Sequence, residues 1–150
     1  NLPERFDLSC TNEKGVDERI VMVHAAITGS LERFLSIVIE HFAGAFPPWL
    51  APVQVAVIPV GEKHLKASDA MVSSFQEQGI RAELYSMNET VGYKIRQAET
   101  QKIPFSMVIG DDEIKAKKLA IRTRGSKELT KLSLDGFIKK LLKQIEERTQ

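Results

Sequence analysis

Cysteine is almost missing from this chain: Cys10 is the one thiol among 150 residues. A lone thiol excludes an intrachain disulfide. With no second cysteine and no histidine at ligand spacing around it, it also excludes a thiolate metal centre. A reducing, cytoplasmic compartment is the expected setting. Long apolar runs are missing too. The longest, from Trp49 to Val60, is broken by Pro52, Gln54 and Pro59. It falls short of the roughly 20 apolar residues that cross a bilayer, so no membrane partner is expected. Nor does either sign of charge dominate: 21 Lys and Arg stand against 20 Asp and Glu, a net charge of +1. Bulk charge therefore names no partner, and only a local excess can. One such excess runs from Arg81 to Lys131, with eleven basic residues against seven acidic ones. Internal repeats, low-complexity segments and a basic, apolar leader are likewise missing. The chain opens on Asn1-Leu2-Pro3-Glu4 rather than on methionine, which reads as a piece of something longer.

What is present is the composition of a globular protein, 43% hydrophobic and 27% charged, at a length that supports one well-cored domain. Residues 1–19, with Pro3, Gly15 and many charges, read as a loop entering or joining strands. Ile20 to Ile27 is nearly continuous in apolar residues, the pattern of a strand buried on both faces. Thr28-Gly29-Ser30 stops it. Ser30 then caps a helix over Leu31 to Ala43 that is apolar on most of its circumference, hence buried, and Gly44 closes it. From Ala51 the pattern restarts. Val53 to Val60 predicts a buried strand, Lys63 to Gln78 a helix closed by Gly79, and Ile80 to Tyr85 an alternating strand, which together form a βαβ unit. Val91 to Thr100 predicts a helix, Phe105 to Ile109 a strand, and Gly110-Asp111-Asp112 a turn. Lys117 to Thr123 alternates, with Leu119, Ile121 and Thr123 on one face and Lys118, Arg122 and Arg124 on the other. Ser133 caps a last amphipathic helix carrying Leu134, Phe137, Ile138, Leu141, Leu142 and Ile145. The expected architecture is α/β: a strand–helix segment over 1–50, then a domain over 51–150 with a mixed β-sheet flanked by helices.

Two residues stand out chemically. Arg33 lies in the first turn of the 31–43 helix, where a cation opposes the helix dipole, so an anion is expected near it. Phosphate suits that place, because Gly29 lets a ligand approach the backbone and Ser30 opens the helix N-terminus. A salt bridge to Glu40 or another acid is the plainer alternative. His24, on the expected buried strand, reads either as a packed core histidine or as a ligand.

The run His24-Ala25-Ala26-Ile27-Thr28-Gly29-Ser30-Leu31-Glu32-Arg33-Phe34 resembles motif 3 of class II aminoacyl-tRNA synthetases, in the version carried by threonyl-tRNA synthetases. Leu2-Pro3-Glu4-Arg5-Phe6-Asp7-Leu8, the segment Glu40 to Gln54, Asn88-Glu89, Gly92-Tyr93-Lys94-Ile95-Arg96, Gly110-Asp111 and Arg122-Thr123-Arg124 are similar to that family as well. The resemblance implies a strand–helix remnant of the catalytic domain over 1–50 and an anticodon-binding domain over 51–150. It implies that Arg33, with Gly29 and Ser30 beside it, serves the ATP phosphates during adenylate formation. His24 becomes one of three ligands to a zinc ion that holds threonine. The other two ligands, a cysteine and a histidine, lie upstream in the family, so the zinc site is incomplete in this chain. Asn88, Lys102, Glu113 and Arg122 correspond to residues that contact anticodon bases. A carboxylate and a guanidinium together match the edges of guanine, so Glu113 and Arg122 are expected to read the middle base. Lys94, Arg96, Lys102, Lys118 and Arg124 are then available to phosphates.

The implied activity is that of a threonine–tRNA ligase, which uses ATP and threonine and acts on threonine tRNA through its anticodon loop. The parent is expected to be a homodimer, and no DNA partner is expected. The fragment alone is not expected to be active. The alternative is a non-catalytic tRNA-binding or accessory module of the same fold. A doubly wound small-molecule or phospho-signalling domain, resting on the βαβ unit and the Asp111-Asp112 pair, is a third reading.

Overall fold

The computed structural model describes residues 2–116, 118–126 and 128–149. The chain divides into two compact units, residues 1–37 and 38–150.

In the first unit a short helix, α1 (Leu2–Arg5), precedes two antiparallel strands, β1 (Ser9–Thr11) and β2 (Asp17–Arg19). The sequence between these strands has turn chemistry: the Asn12 side-chain oxygen accepts from the backbone N–H groups of Lys14 and Val16, and Gly15 takes a left-handed φ of +71°. The expected loop over 1–19 is therefore a hairpin. Arg19 reinforces it by donating to the Pro3 carbonyl at 2.6 Å and to Asp7 at 2.8 Å. The expected buried strand over 20–27 does not form. Among the described residues no strand lies beside it, since β1 and β2 pair only with each other, and an unpaired strand leaves its amides without partners. Val21, Val23 and Ile27 are 90%, 85% and 95% exposed. The helix after it does form, as α2 (Leu31–Phe42), but none of its residues is buried. The apolar content of α2 states a need for a partner without supplying one.

The second unit carries the core. Its elements are β3 (Val55–Pro59), a 3₁₀ turn at Glu62–His64, α3 (Leu65–Glu77), β4 (Ala82–Leu84), α4 (Val91–Thr100), β5 (Phe105–Ile109), α5 (Asp111–Ala116), β6 (Leu119–Thr123), β7 (Leu129–Leu132) and α6 (Leu134–Glu146). The five strands form one mixed sheet in the order β4-β3-β5-β6-β7. β3 runs parallel to both β4 and β5, and β5-β6-β7 is an antiparallel meander. Strand alternation divides the core. Val55, Val57, Phe105, Met107, Ile109, Leu119 and Ile121 meet α3 and α6 on one face, through Val72, Phe75, Phe137 and Leu141. Ala56, Ile58 and Val108 meet α4 on the other, through Ile95 and Ala98.

One expectation for this unit is corrected, and one strand had no expectation at all. Gly110-Asp111-Asp112 is not a free turn: Asp111 opens α5. Three acidic residues in a helix's first turn complement its dipole as well as they suit a turn. β7 carried no strand signal, because Leu129, Thr130 and Lys131 are all exposed. The helix ends at Ser133 and Gly44 are as expected: Ser133 accepts from the Gly136 N–H, and Gly44, at φ +71°, closes α2 by donating to Ile39. Lys117, at the start of the expected strand over 117–123, lies outside the described residues.

After α2 the chain runs to β3 along a connector whose carbonyls are claimed by cations. Arg81 donates to Trp49 and Ala51, Arg124 to Ala45 and Phe46, and Lys102 to Ala43. Gln54, fully buried, bonds the Pro48 carbonyl at 2.8 Å and accepts from the Arg81 N–H at 2.8 Å.

Candidate nucleic-acid interface

Because β3, β4 and β5 are parallel, the loops that leave their carboxyl ends gather on one side of the sheet. β3 leads to α3 on one face and β4 leads to α4 on the other, so a crevice opens between them, the usual place for a ligand in such a sheet. Asn88 is exposed in the loop after β4 and lines this crevice, together with Gly61, Glu62, Ser86 and Lys94. Thr90 fixes the loop's far end: its hydroxyl accepts from the Tyr93 N–H at 3.3 Å and caps α4. Lys94 was expected on the phosphate-facing surface. It is 4% exposed, and its ammonium donates to the Pro59 carbonyl at 3.2 Å. The helical position that puts Lys94 between the strand ends buries its four-carbon stem, so it is no general surface cation.

Glu113 belongs to the first turn of α5, directly after β5. Its carboxylate accepts from the Gly110 N–H at 3.0 Å. A Cβ at position 110 would lie 3.1 Å from that same oxygen and 3.4 Å from Val60, so glycine is what permits the close approach. Asp111, beside it, accepts from Lys63 at 2.6 Å and contacts the 3% exposed His64 at 3.3 Å. This tie between the β3 and β5 loops had no signal in the sequence, since its partners are 47 and 48 residues apart. Hydrogen bonding from Lys63, and then from His64, holds the Asp111 carboxyl below the usual carboxylate range. A depressed folded value means the tie contributes stability above the unfolded aspartate pKa of about 4, and that contribution is lost as pH falls through the folded value. Asp111→Asn is therefore expected to flatten the acid limb of a stability–pH curve measured by denaturant melts from pH 7 to pH 2. An unchanged acid limb would show that the tie exchanges freely with water.

Arg122 sits elsewhere. It is paired opposite Ser106 on β5, and four residues separate Ser106 from Gly110, a rise of about 13 Å. Its side chain points to the α4 face, where it meets Glu99 at 3.5 Å, whereas Glu113 faces α3 beside Ala67 and Met71. The structure therefore does not bring Glu113 and Arg122 together. The expectation that they share one base relied on the turn that is helix α5. Lys102, following α4 with a left-handed φ of +57°, donates to Ala43, and Arg124 donates to the Lys102 carbonyl. Arg124, which was expected to face phosphate, thus has its guanidinium engaged by three carbonyls, and burial lowers its pKa.

What remains available is a sheet face. α4 covers β3 and β5 on its side, while β6 and β7 extend beyond it. By strand alternation Ala120 and Arg122 of β6 lie on that face, paired with Lys131 and Leu129 of β7. Lys118, just before β6, is exposed, as is Arg96 on α4. An open sheet with basic side chains and apolar groups between them suits single-stranded nucleic acid, whose bases are splayed and whose phosphates need cations.

In the first unit the structure leaves the remaining candidates exposed. Gly29 has φ +70°, and Ser30 accepts weakly from the Arg33 N–H at 3.5 Å while donating to Glu32 at 2.5 Å. That bond, foremost, lowers the Glu32 pKa. Among the described residues no carboxylate lies within 4 Å of Arg33, so the alternative pairing with Glu40 is absent. His24 is exposed rather than buried. Among the described residues no three of His, Cys, Asp or Glu come together to hold a metal. These side chains do not by themselves fit a zinc ion. No helix among the described residues is long and apolar enough to cross a membrane.

Comparison with known proteins agrees with this geometry. A threonine–tRNA ligase of Caldanaerobacter subterraneus is 48% identical over 144 residues, 96% of this chain and 22% of the relative. That of Desulforamulus reducens is 47% identical over 148 residues, 99% of this chain and 23% of the relative. The chain thus spans less than a quarter of the length of the curated relatives it matches. Among solved structures, the RNA binding domain of threonyl-tRNA synthetase from Cryptosporidium parvum superposes with a TM-score of 0.73 at 30% identity, covering 95% of this chain and 36% of that one. Residues 54–144, more than half of the chain, match the family model described as an anticodon binding domain, and the chain belongs to that family.

Proposed function

We propose that this chain is the tRNA-reading end of a threonine–tRNA ligase, acting in the cytoplasm, and that it grips the anticodon loop of threonine tRNA. The observation that carries the proposal is the uncovered β6–β7 face with Arg122 and Lys131 beside α4. Among the described residues Arg122 is held by a long, half-exposed pair to Glu99, worth about 1 kcal/mol or less, so RNA can displace that partner. Asn88 offers an exposed amide. Lys102 and Glu113 keep one bond each to the backbone, which fixes them, and each has further donor or acceptor capacity for a base.

In the parent enzyme, Arg33 with Gly29 and Ser30 at the start of α2 would meet the ATP phosphates, and a fixed guanidinium there stabilises charge that develops in adenylate formation. His24 would be one ligand of a zinc site whose other ligands this chain does not supply, and the parent would be a homodimer. The 45–48% identity to threonine–tRNA ligases supports this wider reading.

The test is a binding titration of the chain against fluorescent stem-loops with G or A at the middle anticodon position. Arg122→Ala is expected to weaken the G stem-loop about tenfold, the loss of one good base contact, and to weaken the A stem-loop less. No binding of the unsubstituted chain to either stem-loop at low salt would overturn the proposal.

A further inference from the structure

A cavity of about 390 Å³ lies between the end of α2, the connector, the first residue of β5 and α6. Phe105 of β5 meets Phe137 of α6 and pairs with Thr123, so the cavity is on the α6 side of the sheet, opposite the face proposed for RNA. Its size suits a small molecule. The walls are rigid and apolar. Pro47 and Pro48 are buried rings, Phe105 is 4% exposed, and Phe42 stands edge-on against Phe46 at 6.1 Å. Such walls accept a flat apolar body without reordering.

The charge on the lining has one sign. Arg124 and Lys140 line the cavity, and no acid does among the described residues. Three carbonyls orient the Arg124 guanidinium without neutralising it. Lys140 has no carboxylate within 4 Å among the described residues, and α6 offers it none, since Gly136, Phe137, Lys143 and Gln144 occupy the positions one turn away. Two cations beside an apolar floor favour an anion with an apolar body. Gln144 adds a further condition: it lines the cavity, and its amide oxygen is buried with no hydrogen-bond partner among the described residues. A turn about the terminal torsion of that amide would bring the oxygen to a donor inside the cavity. Lys140 and Gln144 are one helical turn apart, about 5–6 Å, roughly the span of a single benzene ring with its two para substituents.

We propose that this cavity binds a small aromatic carboxylate that carries a hydroxyl or N–H donor opposite its acid group. The carboxylate meets Lys140 and Arg124, the ring lies against Pro47, Pro48 and Phe105, and the donor meets Gln144. A phosphate of RNA would leave the apolar walls unused. The site stands independently of the RNA-reading proposal.

The test is an NMR titration of the chain with para-hydroxyphenylacetate, following the backbone amides of Thr123, Lys140 and Gln144. Saturating shifts at about 1 mM are expected, the affinity usual for a ligand of roughly ten heavy atoms in a preformed pocket. Phenylacetate, which lacks the donor, is expected to bind about fivefold more weakly. Tyramine, with a cation in place of the acid, is expected to leave the signals unmoved. Lys140→Glu changes an exposed residue and is expected to weaken para-hydroxyphenylacetate about tenfold or more. Gln144→Leu is expected to bind the two acids equally. Equal shifts from tyramine or from inorganic phosphate would overturn the proposal, as would no shift at about 10 mM acid. Acid binding is expected to persist when the anticodon stem-loop is added, and its displacement would overturn the proposal by assigning the cavity to RNA.

Discussion

Phe137→Ala is expected to lower the unfolding free energy by about 3–5 kcal/mol, the usual cost of deleting a buried phenyl ring. Phe137 is where α6 is keyed into the sheet. Its ring meets Phe75 of α3 edge-on at 5.9 Å and Phe105 of β5 at 5.4 Å. Three elements therefore converge on one side chain. The deletion forfeits the transfer of the ring from water, leaves a void between helices that the sheet prevents from closing together, and removes two edge-to-face contacts of roughly 0.5–1.5 kcal/mol each. Against a total stability of about 5–15 kcal/mol for a domain of this kind, the loss is a large fraction. Urea unfolding followed by circular dichroism measures it. A change below about 1 kcal/mol would mean that α6 unfolds separately from the sheet.

Arg124→Ala is expected to cost about 2 kcal/mol without touching the apolar core. The guanidinium donates to Lys102, Ala45 and Phe46, with the last two at 2.8 and 2.9 Å. Its removal leaves three carbonyls without their donor, and an unmet, partly buried carbonyl costs about 1–3 kcal/mol where water cannot replace the donor. The half-buried setting keeps the total toward the lower end. Arg124→Lys should recover only part of the loss, because an ammonium is a point donor and cannot span the three carbonyls that a planar fork reaches. Denaturant melts of the two variants decide the matter. Equal stability of Arg124→Ala and the unsubstituted chain would show that the connector carbonyls are served by solvent.

Local signals in the sequence located some elements closely and were silent on others for physical reasons. The apolar run Phe105 to Ile109 and the stretch Val91 to Thr100 are strand and helix as expected, since a buried central strand and a capped helix each state their own pattern. β7 is an edge strand with three exposed residues, so its sequence carries no alternation to detect. The segment 20–27 shows the opposite failure: its apolar pattern is strong, but pairing is a property of two strands and cannot be read from one. The site was harder still. Asn88 reaches an exposed loop as expected, yet Lys94, Lys102 and Arg124 read as surface cations and instead bond carbonyls at 35, 59 and up to 79 residues' remove. A long, flexible side chain has a reach that composition does not fix. His64 and Asp111 meet only because two parallel strands end side by side.

The parallel arrangement of β3 also sets an order of events during folding. Val55 pairs with Ala82 and with Phe105, partners 27 and 50 residues away, while Phe105 pairs with Thr123 only 18 residues on. Closing the 50-residue loop costs roughly 1 kcal/mol more chain entropy than closing the 18-residue one. The meander β5-β6-β7 can thus form from nearby chain, whereas the crevice beside Asn88 needs β3 placed between both of its distant neighbours. On a ribosome β3 emerges well before β5 and must wait for it. The basic sheet face can therefore take shape as a local event among neighbouring strands, and the crevice is the feature whose completion reports that the whole domain has folded.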